Sequence, residues 1–159
     1  METSLRSNGA RQAQGPPLRG LSPARALIVD DNPVVLKVVC QMLEALGYLV
    51  DSAEGGVEAF RILFQFRYDL VLTDLQLPEK GGFNLARWIK RKSQETKVII
   101  MTSCCHAEVV DSMNAGIVNS WIFKPFGLSK LAAVLGHCYN GTLQNKHRLL
   151  LCLRRKEWS

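Results

Sequence analysis

At 159 residues, with 47% hydrophobic and 21% charged side chains, the chain can bury one core flanked by short tails; this composition fits neither wholesale disorder nor a bilayer-spanning protein. Its formal net charge of +6 does not belong to the folded part: residues 1–25 carry +3 (four Arg against Glu2), residues 139–159 carry +4 (five Lys or Arg against Glu157), and residues 26–138 carry −1 (11 basic against 12 acidic). Five cysteines, an odd number without a CxxC pair, argue against both a disulfide framework and a zinc site.

Residues 1–24 read as a flexible basic leader, interrupted by Pro16, Pro17 and Pro23 and without hydrophobic periodicity. They contain no apolar signal-peptide core, so a cytoplasmic location is expected. From Ala26 the pattern changes to short β-branched runs alternating with helical periodicity. Ala26 to Val29 is a strand that ends in Asp30 and Asp31. Val35, Val38, Val39, Met42, Leu43 and Leu46 then mark one face of a helix that Pro33 can begin and Gly47 can stop.

Leu49 to Ala53 is the second strand and Gly56 to Gln65 the second helix, with Val57, Phe60, Ile62, Leu63 and Phe64 as its apolar residues. Leu70 to Thr73 forms a third strand that delivers Asp74 at its end. Gly82 to Lys92 is helical, Val98 to Met101 is a fourth strand ending at Thr102, and Ala107 to Ala115 is a shorter helix. Ser120 to Phe123 is the fifth strand, running into Lys124 and Pro125, and Leu128 to Tyr139 is the last helix. The alternation predicts an α/β fold, a doubly wound five-stranded parallel sheet with helices on both faces. Ligands of such folds bind outside the carboxyl ends of the strands, so Asp30, Asp31, Asp74, Thr102 and Lys124 are expected to converge.

Three carboxylates brought together repel by roughly 4 kcal/mol per close pair at a surface-like dielectric. A hard divalent cation relieves that repulsion, and oxygen donors with room for water suit magnesium, Mg2+. Asp31 and Asp74 are the expected direct ligands, with Asp30 holding a metal-bound water and the backbone carbonyl of Gln76 completing the set. Phosphoryl transfer needs little from a protein beyond positioning and charge neutralisation. Lys124 and the Thr102 hydroxyl would neutralise phosphoryl oxygens, and Asp74 would be the nucleophile that becomes an aspartyl phosphate.

LIVDDN (Leu27 to Asn32), LVLTDLQLPEKGGF (Leu70 to Phe83), VIIMTS (Val98 to Ser103) and WIFKPF (Trp121 to Phe126) together resemble the response-regulator receiver family of two-component signalling, over roughly Arg25 to Tyr139. The resemblance implies a flavodoxin-like sheet of strand order 2-1-3-4-5. It also implies an acidic pair at Asp30 and Asp31, a phosphoacceptor at Asp74, a switch hydroxyl at Thr102, a phosphate-contacting Lys124 and a switch aromatic at Trp121. A cis peptide bond before Pro125, and a loop shaped by Pro78 and Gly82, belong to the same pattern. The implied partners are a histidine kinase or histidine phosphotransfer protein, and a downstream protein that meets the surface of the fourth helix, fifth strand and fifth helix. The family acts as a phosphoacceptor that assists its own phosphorylation and dephosphorylation rather than as an enzyme on a separate substrate.

Blander readings stand beside these. Asn32 or Asp31 could simply cap the first helix, and Trp121 could be plain core packing. Cys104 and Cys105 read as small rim residues more readily than as redox-sensing thiols, His106 as a loop or cap residue, and Asn140-Gly141-Thr142 as a turn. Residues 140–159 form a basic tail or helix extension in which Leu149, Leu150, Leu151 and Leu153 sit between cations; membrane contact by this tail is the lesser expectation. About 20 residues after the last helix are too few for a DNA-binding output domain, so a stand-alone receiver, or one cut from a longer protein, is expected. The alternative from another class is a phosphorylation-independent interaction module of the same fold. Nucleic-acid binding would have to come from the tails.

Overall fold

The computed structural model describes residues 23–78, 81–103, 111 and 115–139. Five strands, β1 (Arg25–Val29), β2 (Leu49–Ala53), β3 (Leu70–Asp74), β4 (Lys97–Thr102) and β5 (Ser120–Phe123), form one parallel sheet in the order β2-β1-β3-β4-β5. The described helices are α1 (Pro33–Ala45), α2 (Gly56–Gln65), α3 (Gly82–Lys92) and α4 (Leu128–Cys138). The expected helix over Ala107 to Ala115 falls outside the described residues except for Asp111 and Ala115, and so do the leader before Pro23 and the tail after Tyr139. No described helix is long and apolar enough to cross a membrane.

Alternation along the strands divides the core into two layers, because successive side chains point to opposite faces of the sheet. Leu27, Val29, Val71, Val98 and Ile100 meet Ala59 of α2 and Leu85, Ala86 and Ile89 of α3 on one face. Ala26, Ile28, Leu70, Leu72, Ile99, Met101 and Ile122 meet Leu36, Val39 and Leu43 of α1 and Leu131 and Leu135 of α4 on the other. Every residue of β3 is buried, as a central strand covered on both sides requires.

Two helical faces differ from their apolar pattern. On α1 the buried stripe is Leu36, Val39, Leu43 and Leu46, with Val35 and Met42 beside it, while Val38 is 42% exposed. A helix lying on one face of a sheet buries only a narrow stripe, and apolar residues at its flanks stay in water. On α2 the buried positions are Gly56 and Ala59, whereas Val57 and Phe64 are exposed, Phe64 at 72%. Small residues let α2 approach the sheet closely and push its large side chains outwards.

Helix ends follow local chemistry. The Asn32 side chain accepts hydrogen bonds from the backbone N–H groups of Val34 (2.9 Å) and Val35 (3.4 Å), and Pro33 opens the helix where no intrahelical donor is needed. Gly47 follows α1 with φ 88°, a conformation that glycine adopts without a Cβ clash. At the start of α3 the chain passes hard against the end of β3. A Cβ built on Gly82 would lie 2.2 Å from the backbone oxygen of Asp74, whereas one on Gly81 would meet nothing nearer than Leu75 O at 3.7 Å.

Gly82→Ala should therefore destabilise the protein by at least about 1–3 kcal/mol, since backbone must move to admit the methyl group. Gly81→Ala should change stability by no more than about 0.5 kcal/mol. Urea denaturation of both variants checks the contrast, and equal midpoints would contradict the close approach.

Candidate functional site

Parallel strands all end on one edge, and here the polar residues that follow the buried runs meet there. Asp30 follows β1, Asp74 closes β3, Thr102 closes β4 and Lys124 follows β5. The backbone N–H of Lys124 donates to Thr102 O at 2.7 Å, extending the β4–β5 pairing into the site, and the Lys124–Pro125 bond is cis. Lys124 turns inward and its ammonium bridges two carboxylates, Asp30 Oδ2 at 2.5 Å and Asp74 Oδ1 at 2.8 Å.

The remaining oxygens of that pair are held by the backbone. Asp74 Oδ2 accepts from the N–H of Gln76 at 3.0 Å, and Asp30 Oδ1 accepts from the N–H of Asn32 at 2.9 Å. Both aspartates are buried, at 1% exposure for Asp30 and 8% for Asp74. Asn32, and neither aspartate, supplies the cap of α1, so the acidic pair is not spent on capping. Asp31 stands exposed at the mouth, and Thr102 is buried at the end of β4. Trp121 is half-buried against the α2/α3 core layer and packs edge-on against Phe123 with ring centroids 4.4 Å apart. Cys104, Cys105 and His106 lie outside the described residues.

Burial by itself would lower the Lys124 pKa, but the hydrogen bonds and charges of Asp30 and Asp74 outweigh it and hold the ammonium above its ordinary value. One cation faces the two carboxylates of Asp30 and Asp74, so the cluster keeps an excess of negative charge. Its donors are carboxylate oxygens, the type that suits Mg2+. Among the described residues no group of three or more His, Cys, Asp or Glu side chains is drawn together as a metal cage. The Lys124 ammonium sits between Asp30 and Asp74, and Asp31 faces solvent. The carboxylates of Asp30 and Asp74 and their excess charge fit a divalent ion, whereas the expected convergence of Asp31 with them is not seen, since its side chain is exposed.

The sequence pattern brings out these four strand-end residues. It gives no sign of Lys124 as a bridge between two aspartates, because a strand-end lysine looks the same whether it faces water or a carboxylate. A raised lysine pKa adds stability that is fully present below the ordinary value of 10.5 and is lost as pH rises through the higher folded value. Replacing Lys124 with Met should remove that alkaline component and, at neutral pH, cost about 3–5 kcal/mol by leaving two buried carboxylates without their cation. Urea denaturation of wild type and variant from neutral to alkaline pH checks both expectations. A gap between the two proteins that does not narrow at high pH would contradict the ion-pair geometry.

The family model for the response regulator receiver domain matches residues 26–136. The transcriptional regulatory protein GlrR of Escherichia coli (strain K12) is 38% identical over 105 residues, covering 65% of this chain and 23% of that protein. This chain thus corresponds to about a quarter of that regulator's length. The polar-differentiation response regulator DivK of Brucella anthropi is 29% identical over 110 residues, covering 68% of this chain and 89% of DivK. Among solved structures, the response regulator protein TrrA of Thermotoga maritima, in complex with Mg2+–BeF, superposes with a TM-score of 0.64 at 28% identity, covering 72% of this chain and 98% of TrrA. With the sheet order β2-β1-β3-β4-β5 and this family match over residues 26–136, the chain belongs to the response regulator receiver domain family.

Proposed function

We propose that this chain accepts a phosphoryl group on Asp74 from a histidine kinase or a histidine phosphotransfer protein, and passes the signal to a protein partner through a change of shape. Phosphorylation on aspartate and Mg2+ binding are general properties of receiver domains. The observation that carries the assignment to Asp74 is its placement. Its carboxylate sits at the end of the central strand, fixed by Lys124 on Oδ1 and by the Gln76 N–H on Oδ2, beside a second buried aspartate.

In this reading an Asp74 carboxylate oxygen attacks the phosphorus, the P–N bond to the donor imidazole breaks, and the imidazole leaves with the electron pair and takes up a proton. Asp30, Asp31, Asp74 and the Gln76 carbonyl would hold Mg2+, which offsets charge on the phosphoryl oxygens when bound. Lys124 exchanges its bond to Asp74 for one to a phosphoryl oxygen, and the Thr102 hydroxyl donates to another. The protein acts as phosphoacceptor, not as an enzyme on a separate substrate. Val34 and Val38 of α1 remain 67% and 42% exposed near the mouth and offer an apolar landing for the phosphodonor protein. The output surface is that of β5, α4 and the segment before β5, with Trp121 and Phe123 as its aromatic pair.

Intact-mass measurement after incubation with phosphoramidate should show one added phosphoryl group with Mg2+, none without it, and none in Asp74→Asn. An unmodified wild type under every donor and metal condition would favour a phosphorylation-independent interaction module. Lys124→Ala should still take up some phosphoryl group, because the nucleophile is intact. It should lose the response of β5 and α4 to beryllofluoride in amide exchange, since a ligand shifts a two-state equilibrium only through contacts that differ between the states. Equal protection changes in wild type and Lys124→Ala would remove Lys124 as the link.

A further inference from the structure

At the opposite edge of the sheet, where the strands begin, the carboxyl ends of α2 and α3 and the starts of β1 and β4 enclose a cleft of about 940 Å3. The proposed phosphorylation chemistry makes no use of it. Its apolar wall is aromatic. Phe64 is 72% exposed and leans on Trp88 with ring centroids 5.1 Å apart, and Trp88 meets Phe60 edge-on at 5.2 Å. A phenyl ring fixed against an indole yet left in water is a preformed anchor point, because its ordering cost is already met by the Trp88 contact.

Apart from the paired Arg25, the polar wall holds three cations against two carboxylates, Asp69 and Glu95, a net charge of one positive. Arg67, Lys92 and Lys97 line the cleft, and the ion pairs formed among the described residues are those of Arg25 with Asp51 and of Lys124 with Asp30 and Asp74. Just behind the wall lies Lys90, only 7% exposed, whose ammonium donates to the carbonyls of Thr96 (2.6 Å) and Gln94 (3.2 Å) and meets no carboxylate. Carbonyl groups satisfy its hydrogens without cancelling its charge. Burial lowers its pKa, and the nearby Lys97 charge lowers it further. Cations in the last turn of a helix offset its dipole, and Lys90 serves that purpose for α3. Arg67, directly after the Phe66 cap of α2, can serve α2 in the same way, whereas Lys97, at the start of β4, lies at no helix end and is left unexplained by that role.

We propose that this cleft docks an acidic peptide segment of a partner protein, with an apolar side chain seated against Phe64 and Trp88 and carboxylates facing Arg67, Lys92 and Lys97. Asp69 and Glu95 also line the cleft. A peptide can space its carboxylates to avoid them, whereas a nucleic-acid strand carries a charge on every unit. Pro23 and Tyr139 line it as well, so the chain's own flanking segments leave beside it, but residues 1–25 carry +3 and residues 139–159 carry +4, and the same cations repel them.

The test uses the full chain and fluorescence anisotropy, with a labelled short peptide of Asp and Glu around a central Leu-Phe pair, its Lys-substituted counterpart, and oligothymidylate as probes. The acidic peptide should bind most tightly of the three and weaken as salt rises. Combining Arg67→Glu with Lys92→Glu should reduce its affinity roughly tenfold, and Phe64→Ser should reduce it without altering the salt dependence. Phosphorylation of Asp74 should be unchanged in these variants, which also shows that they fold. Absence of peptide binding, tighter binding of oligothymidylate, or equal affinity in wild type and variants would each overturn the proposal.

Discussion

Burying two aspartates side by side is the constraint on which the rest of this structure depends. Asp30 and Asp74 lie at the ends of adjacent central strands, in register and almost out of water. Charges so placed are costly unless compensated, and the compensation must arrive from a third strand. Lys124 supplies it across the width of β4, and its backbone is carried there by the hydrogen bond from its own N–H to Thr102 O. The ion pairs therefore link the ends of β1, β3 and β5, and any event at Asp74 must be felt by β5.

That arrangement needs a rigid frame. The two core layers clamp the strands from both faces, so the strand ends cannot spread to relieve the repulsion. Gly82 adds a second restraint by bringing the first turn of α3 into contact with the Asp74 carbonyl. The carboxylate is thus held by packing on its backbone and by charge on its side chain. Such a site can respond to a new charge only by exchanging partners, which is the behaviour of a switch rather than of a soft, continuously adjustable pocket.

The order of strands and helices was legible in the sequence because period-two and helical patterns alternate cleanly, with polar residues marking each strand end. Asp30, Asp74, Thr102 and Lys124 were legible for the same reason. The finer features depend on information that a linear pattern lacks. Val38 and Phe64 fit an apolar periodicity yet face water, since which flank of a helix touches the sheet is decided by the small residues that set its approach, such as Ala59. Lys90 looks like one more cation in a basic run, and only the fold of the segment from Ser93 to Lys97 around its ammonium makes it a buried charge. The outward position of Asp31 is likewise a matter of side-chain geometry at a strand end.

The two edges of the sheet carry opposite charge, and topology accounts for it. In a parallel sheet each crossover helix runs against the strands, so helix amino ends gather at the carboxyl edge and helix carboxyl ends at the amino edge. Partial positive charge from α1 and α3 then falls beside Asp30 and Asp74, where N–H groups of Asn32 and Gln76 already point at the carboxylates. Partial negative charge falls at the other edge, where Lys90 closes the end of α3. Dipoles of this size justify a cation or two within the last turn, and the effect fades beyond it. Arg67 follows the carboxyl end of α2 directly and falls within that reach, whereas Lys97, at the start of β4, stands outside it. Set against the carboxylates of Asp69 and Glu95, Arg67, Lys92 and Lys97 leave one positive charge in the cleft, with the buried Lys90 behind it, and that excess is what an acidic partner would read.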